Sequence, residues 1–350
     1  MNYPQICRLL AATIGVLALG FIISMGVGFF YGDPVQESQA YMGWMTALFI
    51  AVGLLAIFHA LAKKPSPALV RREALCAVGL GWLVAIFITA IPFRTIVPDC
   101  SWANAIFEGT SGLTTTGSTV FGDVESLPKS LLFWRSLSQW IGGIGVIVVF
   151  VAVLSSLGVS AKVLYSSESS AKPVDMDSAR IQETAVQVIR LYLGLSAISI
   201  YVLWLAGMPV FDAICHGFSA IATAGFSTRN GGIAAFNNPA IEWALIVIMI
   251  LGATNFFYML YAVRGRWYEV RNNEEFRTYI LILGGVSLLI TWILFETSSW
   301  PFSEALRHAT FQVTSFITTT GFSSKNFALW VGGAQTFLVL LMFVGGCSGV

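Results

Sequence analysis

The chain has 350 residues, of which 56% are apolar and only 11% charged, with a mean hydropathy of +0.78 and a formal net charge of +1. A soluble domain carries roughly a quarter charged residues, so this composition excludes a water-soluble enzyme built around a large core. The net charge says nothing about nucleic acid, and no basic cluster is large enough to argue for such a partner, so none is expected.

A helix of about 18–25 apolar residues crosses the roughly 30 Å of bilayer hydrocarbon. Such runs recur at about 10–30, 41–62, 74–93, 131–157, 181–206, 239–263, 278–296 and 333–350. The first, from Leu9 to Phe30, is longer than a signal-peptide core. It has no small-x-small cleavage site ahead of Tyr31-Gly32-Asp33-Pro34, so a retained helix is expected. Basic residues alternate between connections. Lys63, Lys64, Arg71 and Arg72 follow the second run; Lys162, Lys172 and Arg180 follow the fourth; Arg264, Arg266, Arg271 and Arg277 follow the sixth. The 31–40 connection holds Asp33 and Glu37 but no base, so the N-terminus is expected in the cytoplasm.

The outer connections after the third, fifth and seventh runs each contain an apolar segment too short to span: about 101–113, 211–222 and 303–317. A short helix followed by a Thr/Gly-rich turn between two spans predicts a re-entrant loop. Such backbone is tolerated at membrane depth only where protein covers it or it lines a water-filled path.

These three segments share a register. Six residues before Gly117, Gly225 and Gly321 stand Ser111, Ser219 and Ser315; four before stand Leu113, Ile221 and Ile317; two before stand Thr115, Thr223 and Thr319. The glycines are 108 (225−117) and 96 (321−225) residues apart, so the repeating unit is a whole helix–loop–helix module. Glycine reaches positive φ, which lets successive carbonyls point the same way toward a shared axis. Such carbonyls can replace the water around a dehydrated cation, with threonine hydroxyls as further ligands. The C-terminus of each short helix directs the negative end of its dipole toward that axis, which also favours cations. The candidate ion ligands are Thr115, Thr116, Gly117, Thr223, Ala224, Gly225, Thr319, Thr320 and Gly321. A single Thr-Thr-Gly reads equally well as a plain turn; three in one register do not.

Other residues carry less. His216 and His308 lack a carboxylate or cysteine at ligand spacing, so packing or interfacial roles are expected. Glu108 fits a cation-attracting group or, equally well, a rim or helix-stabilising carboxylate. Gly142, Gly143 and Gly145 fit close helix packing. Cys7, Cys76, Cys100, Cys215 and Cys347 show no metal or redox spacing, and only Cys100 is expected to be exposed. No phosphate loop, H-E-x-x-H or G-x-S-x-G sequence is present, so an enzyme is not expected and transport would be driven by ion gradients or membrane potential.

Several stretches together resemble the Trk/Ktr/HKT superfamily of potassium transporters: Ser111-Gly-Leu-Thr-Thr-Thr-Gly117, Phe133-Trp-Arg-Ser-Leu-Ser-Gln-Trp-Ile-Gly-Gly-Ile-Gly145, Arg180-Ile-Gln-Glu-Thr-Ala185, Ala224-Gly-Phe-Ser-Thr228 and Thr318 to Ser323. The likeness covers essentially the full length, and two helices ahead of the first module match the Trk-type layout. It implies an all-α integral membrane protein with helix–pore loop–helix repeats of potassium-channel type around a pseudo-fourfold axis, each loop supplying part of a selectivity filter. The expected divisions are an N-terminal helix pair at 1–66 and pore repeats at 67–160, 161–266 and 267–350, three of an expected four. The resemblance further implies a homodimer in the bacterial cytoplasmic (inner) membrane, surrounded by lipid. It also implies a separate cytosolic, NAD/ATP-binding, TrkA-like regulatory subunit. Potassium is the substrate, and no cofactor is expected in this chain.

Gly345, Gly346, Cys347, Ser348 and Gly349 match the start of the family's glycine-rich interruption, which acts as a gate beneath the filter, and a helix break is expected there. The rest of that gate, the fourth repeat and the family's pore-lining arginine do not occur in the sequence up to Val350. Three loops leave one flank of a cation open, so these 350 residues alone are not expected to restore potassium uptake. Two further readings stand beside potassium transport. One is a poorly selective monovalent-cation channel, since each loop has one glycine; the other is a non-conducting, truncated membrane scaffold.

Overall fold

Gly32, Asp33 and Pro34 end one long helix and start the next. In the computed structural model, which describes residues 3–62, 71–157 and 178–344, α1 runs Tyr3–Tyr31 and α2 Pro34–Leu61. The Asp33 carboxylate accepts from the Val35 and Gln36 amides at 3.0 and 3.1 Å, and Pro34 occupies the first turn, where its missing N–H costs nothing. This cap starts α2 well before the apolar run at 41, because the polar first turn is invisible to hydropathy.

The remaining helices are α3 Arg71–Ile96, α4 Trp102–Leu113, α5 Lys129–Leu157, α6 Ser178–Leu205, α7 Val210–Ile221, α8 Pro239–Ala253, α9 Phe256–Val263, α10 Trp267–Arg271, α11 Glu274–Thr297, α12 Phe302–Ile317 and α13 Gly332–Val344. Among the described residues there is no strand. Spans Tyr3–Tyr31, Pro34–Leu61, Leu75–Ile96, Ala185–Leu205 and Glu274–Thr297 are long and apolar enough to cross a bilayer, and the chain is an all-α, multi-pass membrane protein. Gly345 to Gly349, the gate expected from sequence, lie outside the described residues, as do Lys63, Lys64, Lys162 and Lys172.

The chain forms two compact units, Met1–Ala185 and Val186–Val350. In the first, Phe21, Trp44 and Trp134 are fully buried and meet edge-on or tilted, with ring centroids 4.7 to 6.3 Å apart. Trp44 Nε1 donates to Ser130 Oγ at 2.9 Å, and the buried Glu37 carboxylate accepts from the Ser130 amide at 2.9 Å. Lipid tails are as apolar as a leucine core, so packing and hydrogen bonds of this kind hold membrane helices together. The N-terminal helix pair is thereby fixed to the start of α5. Large apolar side chains such as Phe49 and Leu83 face outward.

In the second unit, Ala213 and Ala220 of α7 pack against Leu245 and Met249 of α8. Ala305, Ala309 and Val313 of α12 pack against Leu283, Ile290 and Leu338 of α11 and α13. Small residues on the short helices let the long ones approach.

One expected span is not straight. The 239–263 run breaks between α8 and α9 and bends by 103°. Thr254 turns extended (φ −77°, ψ 135°), its hydroxyl donating to the Ile250 carbonyl at 2.7 Å, and Asn255 caps α9 through the Phe257 amide at 3.0 Å. Thr and Asn offer the backbone side-chain partners that compete with helix continuation. Cys100, expected to be exposed, is buried: Asp99 adopts φ 59° and turns the chain inward ahead of α4.

Candidate functional site

The three short helices α4, α7 and α12 end in the same hydrogen-bonded turn. After α4, the Thr115 amide donates to the Gly112 carbonyl at 3.2 Å and the Thr116 amide to Ser111 at 3.0 Å. After α7, Thr223 donates to Ala220 at 3.1 Å and Ala224 to Ser219 at 2.9 Å; after α12, Thr319 donates to Phe316 at 3.1 Å and Thr320 to Ser315 at 3.0 Å. This paired pattern is a Schellman terminus, whose left-handed position is ordinarily a glycine. Here it is a threonine each time, with φ of 54°, 48° and 58° at Thr115, Thr223 and Thr319. A β-branched residue at positive φ is a genuine outlier, held at a cost of about 1–3 kcal/mol each. Two residues on, Gly117, Gly225 and Gly321 also have positive φ, at 76°, 88° and 82°. None of the nine candidate ligands lies in a helix.

The register serines close two of these turns. Ser111 Oγ donates to the Ser118 carbonyl and Ser315 Oγ to the Phe322 carbonyl, both at 2.6 Å and both one residue past the glycine. In the second loop, the Thr223 and Ser219 hydroxyls are buried with no partner among the described residues. Thr114 and Thr116, like Thr318 and Thr320, share hydroxyl contacts at 2.8 Å. Within the second unit, loops two and three touch: a Cβ on Gly225 would collide with the Thr320 carbonyl oxygen. The Thr115–Gly117 loop belongs to the first unit, where Gly117 is half-exposed.

Behind each loop, polar side chains of the short helix hold the outgoing segment. Nine residues before the glycine (117−108, 225−216) stand Glu108 and His216. Glu108, fully buried, accepts from the Thr119 hydroxyl and from the Val120 amide at 2.7 Å, with Arg135 Nε 3.5 Å away. It is neither a rim carboxylate nor a group open to passing cations. His216 Nδ1 donates to the Asp212 carbonyl at 2.8 Å, and its Nε2 lies 2.9 Å from the Ser227 hydroxyl. Thirteen residues before the glycine (225−212, 321−308) stand Asp212 and His308. Asp212 accepts from Thr228 at 2.5 Å and Arg229 at 2.9 Å; His308 contacts Ser324 at 3.0 Å.

The histidines are buried, as the packing reading expects, but they also brace the loops. Asp212 was not singled out by sequence, although an acid inside an apolar short helix was the available signal. Another pairing not legible in sequence is Glu242 of α8 with Arg307 of α12, at 2.8 Å. Among the described residues no group of His, Cys, Asp and Glu side chains could hold a metal ion.

Comparison with known proteins agrees with this architecture. The profile of the TrkH family, described as cation transport protein, matches residues 42–350. The Trk system potassium uptake protein TrkH of Halomonas elongata is 32% identical across 100% of this chain and 72% of its own length. The protein of that name in Escherichia coli K12 is likewise 32% identical, with the same coverage. The crystal structure of the potassium transporter TrkH from Vibrio parahaemolyticus superposes with a TM-score of 0.85 at 31% identity, covering 100% of this chain and 71% of that one. The family match over most of the chain, the full-length relatives and the shared fold lead to one conclusion: this chain belongs to the TrkH family of cation transport proteins.

Proposed function

We propose that the chain is the pore-forming subunit of a potassium uptake system, in which the Thr115–Gly117, Thr223–Gly225 and Thr319–Gly321 loops coordinate the dehydrated ion. The observation that carries this reading is the threonine held at positive φ in all three loops. A helix terminus that only had to turn would take glycine there. Threonine adds strain and a hydroxyl, and in the second loop that hydroxyl is buried without a partner among the described residues. Left-handed residues two apart orient the intervening carbonyls alike, the arrangement a cation needs in place of water. The relatives are named as potassium uptake proteins, which supports potassium as the substrate.

The rest of the assignment follows the same reading. Residues 1–66 form an N-terminal pair of helices, and 67–160, 161–266 and 267–350 form pore repeats. The N-terminus is cytoplasmic in the inner membrane, and the protein works as a homodimer with a cytosolic NAD/ATP-binding regulatory subunit. Gly345 to Gly349 supply the gate.

The test is uptake in cells stripped of their own potassium transporters, with the protein expressed from its complete reading frame. Wild type restores growth at low potassium. Gly225→Asp abolishes it, because the new side chain collides with the Thr320 carbonyl and sets a fixed charge beside it. Undiminished potassium uptake by a membrane-inserted Gly225→Asp protein would remove these loops from the ion path.

A further inference from the structure

Two glycines outside the loops occupy matching places beneath them. In α5, a Cβ on Gly142 would run into the carbonyl oxygen of Leu113, with the Leu113 carbonyl carbon at 2.8 Å and Cα at 3.1 Å. In α8, a Cβ on Gly252 would lie 3.0 Å from the carbonyl oxygens of both Ala220 and Ile221, and 3.2 Å from Cγ2 of Thr223. Leu113 and Ile221 are the last residues of α4 and α7, each four before its loop glycine (117−113, 225−221). In both modules, therefore, the following long helix presents bare backbone to the carbonyl end of the short helix, where the Schellman turn and the left-handed threonine begin.

We infer that Gly142 and Gly252 are positioning residues: they set how closely the C-termini of α4 and α7 seat against α5 and α8, and through that seat where the loop carbonyls stand. This rests on the potassium-pore reading and names what tunes its selectivity. Glycine is the one residue that permits this approach without displacing backbone. A methyl group at Gly252 moves the Ala220–Thr223 turn by a few tenths of an ångström, about the scale on which a carbonyl cage separates one monovalent cation from another. Gly145, Gly284 and Gly285 lack this role. A Cβ on Gly145, one turn further along α5, meets only the Trp82 ring at 3.9 and 4.0 Å, and at Gly284 and Gly285 of α11 it meets nothing within 4 Å.

The experiment compares Gly252→Ala with Gly145→Ala in the protein expressed from its complete reading frame, in cells without other potassium uptake. The readouts are the ratio of K⁺ to Na⁺ uptake and, on purified protein, the excess thermal stabilisation by K⁺ over Na⁺. Gly252→Ala should stay folded and lose roughly fivefold or more of the uptake ratio, about 1 kcal/mol of overpacking strain delivered to the loop, while Gly145→Ala stays within about twofold of wild type. The K⁺-specific stabilisation should fall in step. A folded Gly252→Ala protein with wild-type ratio and stabilisation overturns the inference and leaves the potassium reading intact. Failure of Gly252→Ala to fold, with Gly145→Ala intact, also overturns it, since the contact would then carry the fold and not the loop position. A wild-type protein with no preference for potassium overturns the parent reading instead.

Discussion

Thr319 is the residue where the helix cap and the proposed ligand role make opposite demands. It sits at φ 58°, is exposed in the described structure, and its hydroxyl bonds only the carbonyl of Thr318, at 2.7 Å. Replacing it with glycine removes little packing and relieves about 1 kcal/mol or more of backbone strain. Thr319→Gly should therefore match or exceed the wild-type melting temperature while losing preference for potassium. A less stable protein with unchanged preference would mean that the threonine serves the turn alone. Asp212 makes the converse case, a buried side chain that braces the loop through Thr228 and Arg229. Asp212→Ala leaves the buried Thr228 hydroxyl without its acceptor and should lower stability by about 1–3 kcal/mol. Asp212→Asn keeps an acceptor for Thr228 and should cost distinctly less. Thermal melts of the two variants in the same detergent separate these outcomes.

Among the elements, the α8–α9 pair is the most unusual. A straight helix would hold the Cα atoms of Trp243 and Val263 about 30 Å apart, whereas a 103° bend after Ala253 brings them to roughly 18 Å. Spin labels at these two exposed positions should report the shorter separation. Restoring helix-forming side chains with the double change Thr254→Leu and Asn255→Leu should lengthen it. Hydropathy predicts one span here because the apolar run continues through Gly252-Ala-Thr-Asn255. The break lies in two small polar side chains whose capping bonds a window average cannot register. The short helices α4, α7 and α12 were legible for the opposite reason. Their length is set against bilayer thickness, and their Ser/Thr/Gly register is written in residue identity. The braces were not legible, because Glu108 with Thr119 and Asp212 with Thr228 become neighbours only when the loop doubles back along its helix.

For the whole molecule, the alternation of basic connections predicts which ends face the cell interior. Asn230 follows the second loop and Asn272 lies between α10 and α11, and both are exposed. With native cysteines removed, Asn230→Cys should react with a membrane-impermeant maleimide on intact cells, and Asn272→Cys only after permeabilisation. The reverse pattern would invert the proposed orientation. A different consequence follows from the place where the Gly225 backbone meets the Thr320 carbonyl. With no side chain between them, the second and third loops have no compressible layer to absorb a change in either one. A change in one of these two loops therefore calls for a matching change in the other. A chimera that takes residues 186–344 from a relative as one block should keep its ion preference, whereas one that takes only residues 186–266 inherits a mismatch where the Gly225 backbone meets the Thr320 carbonyl.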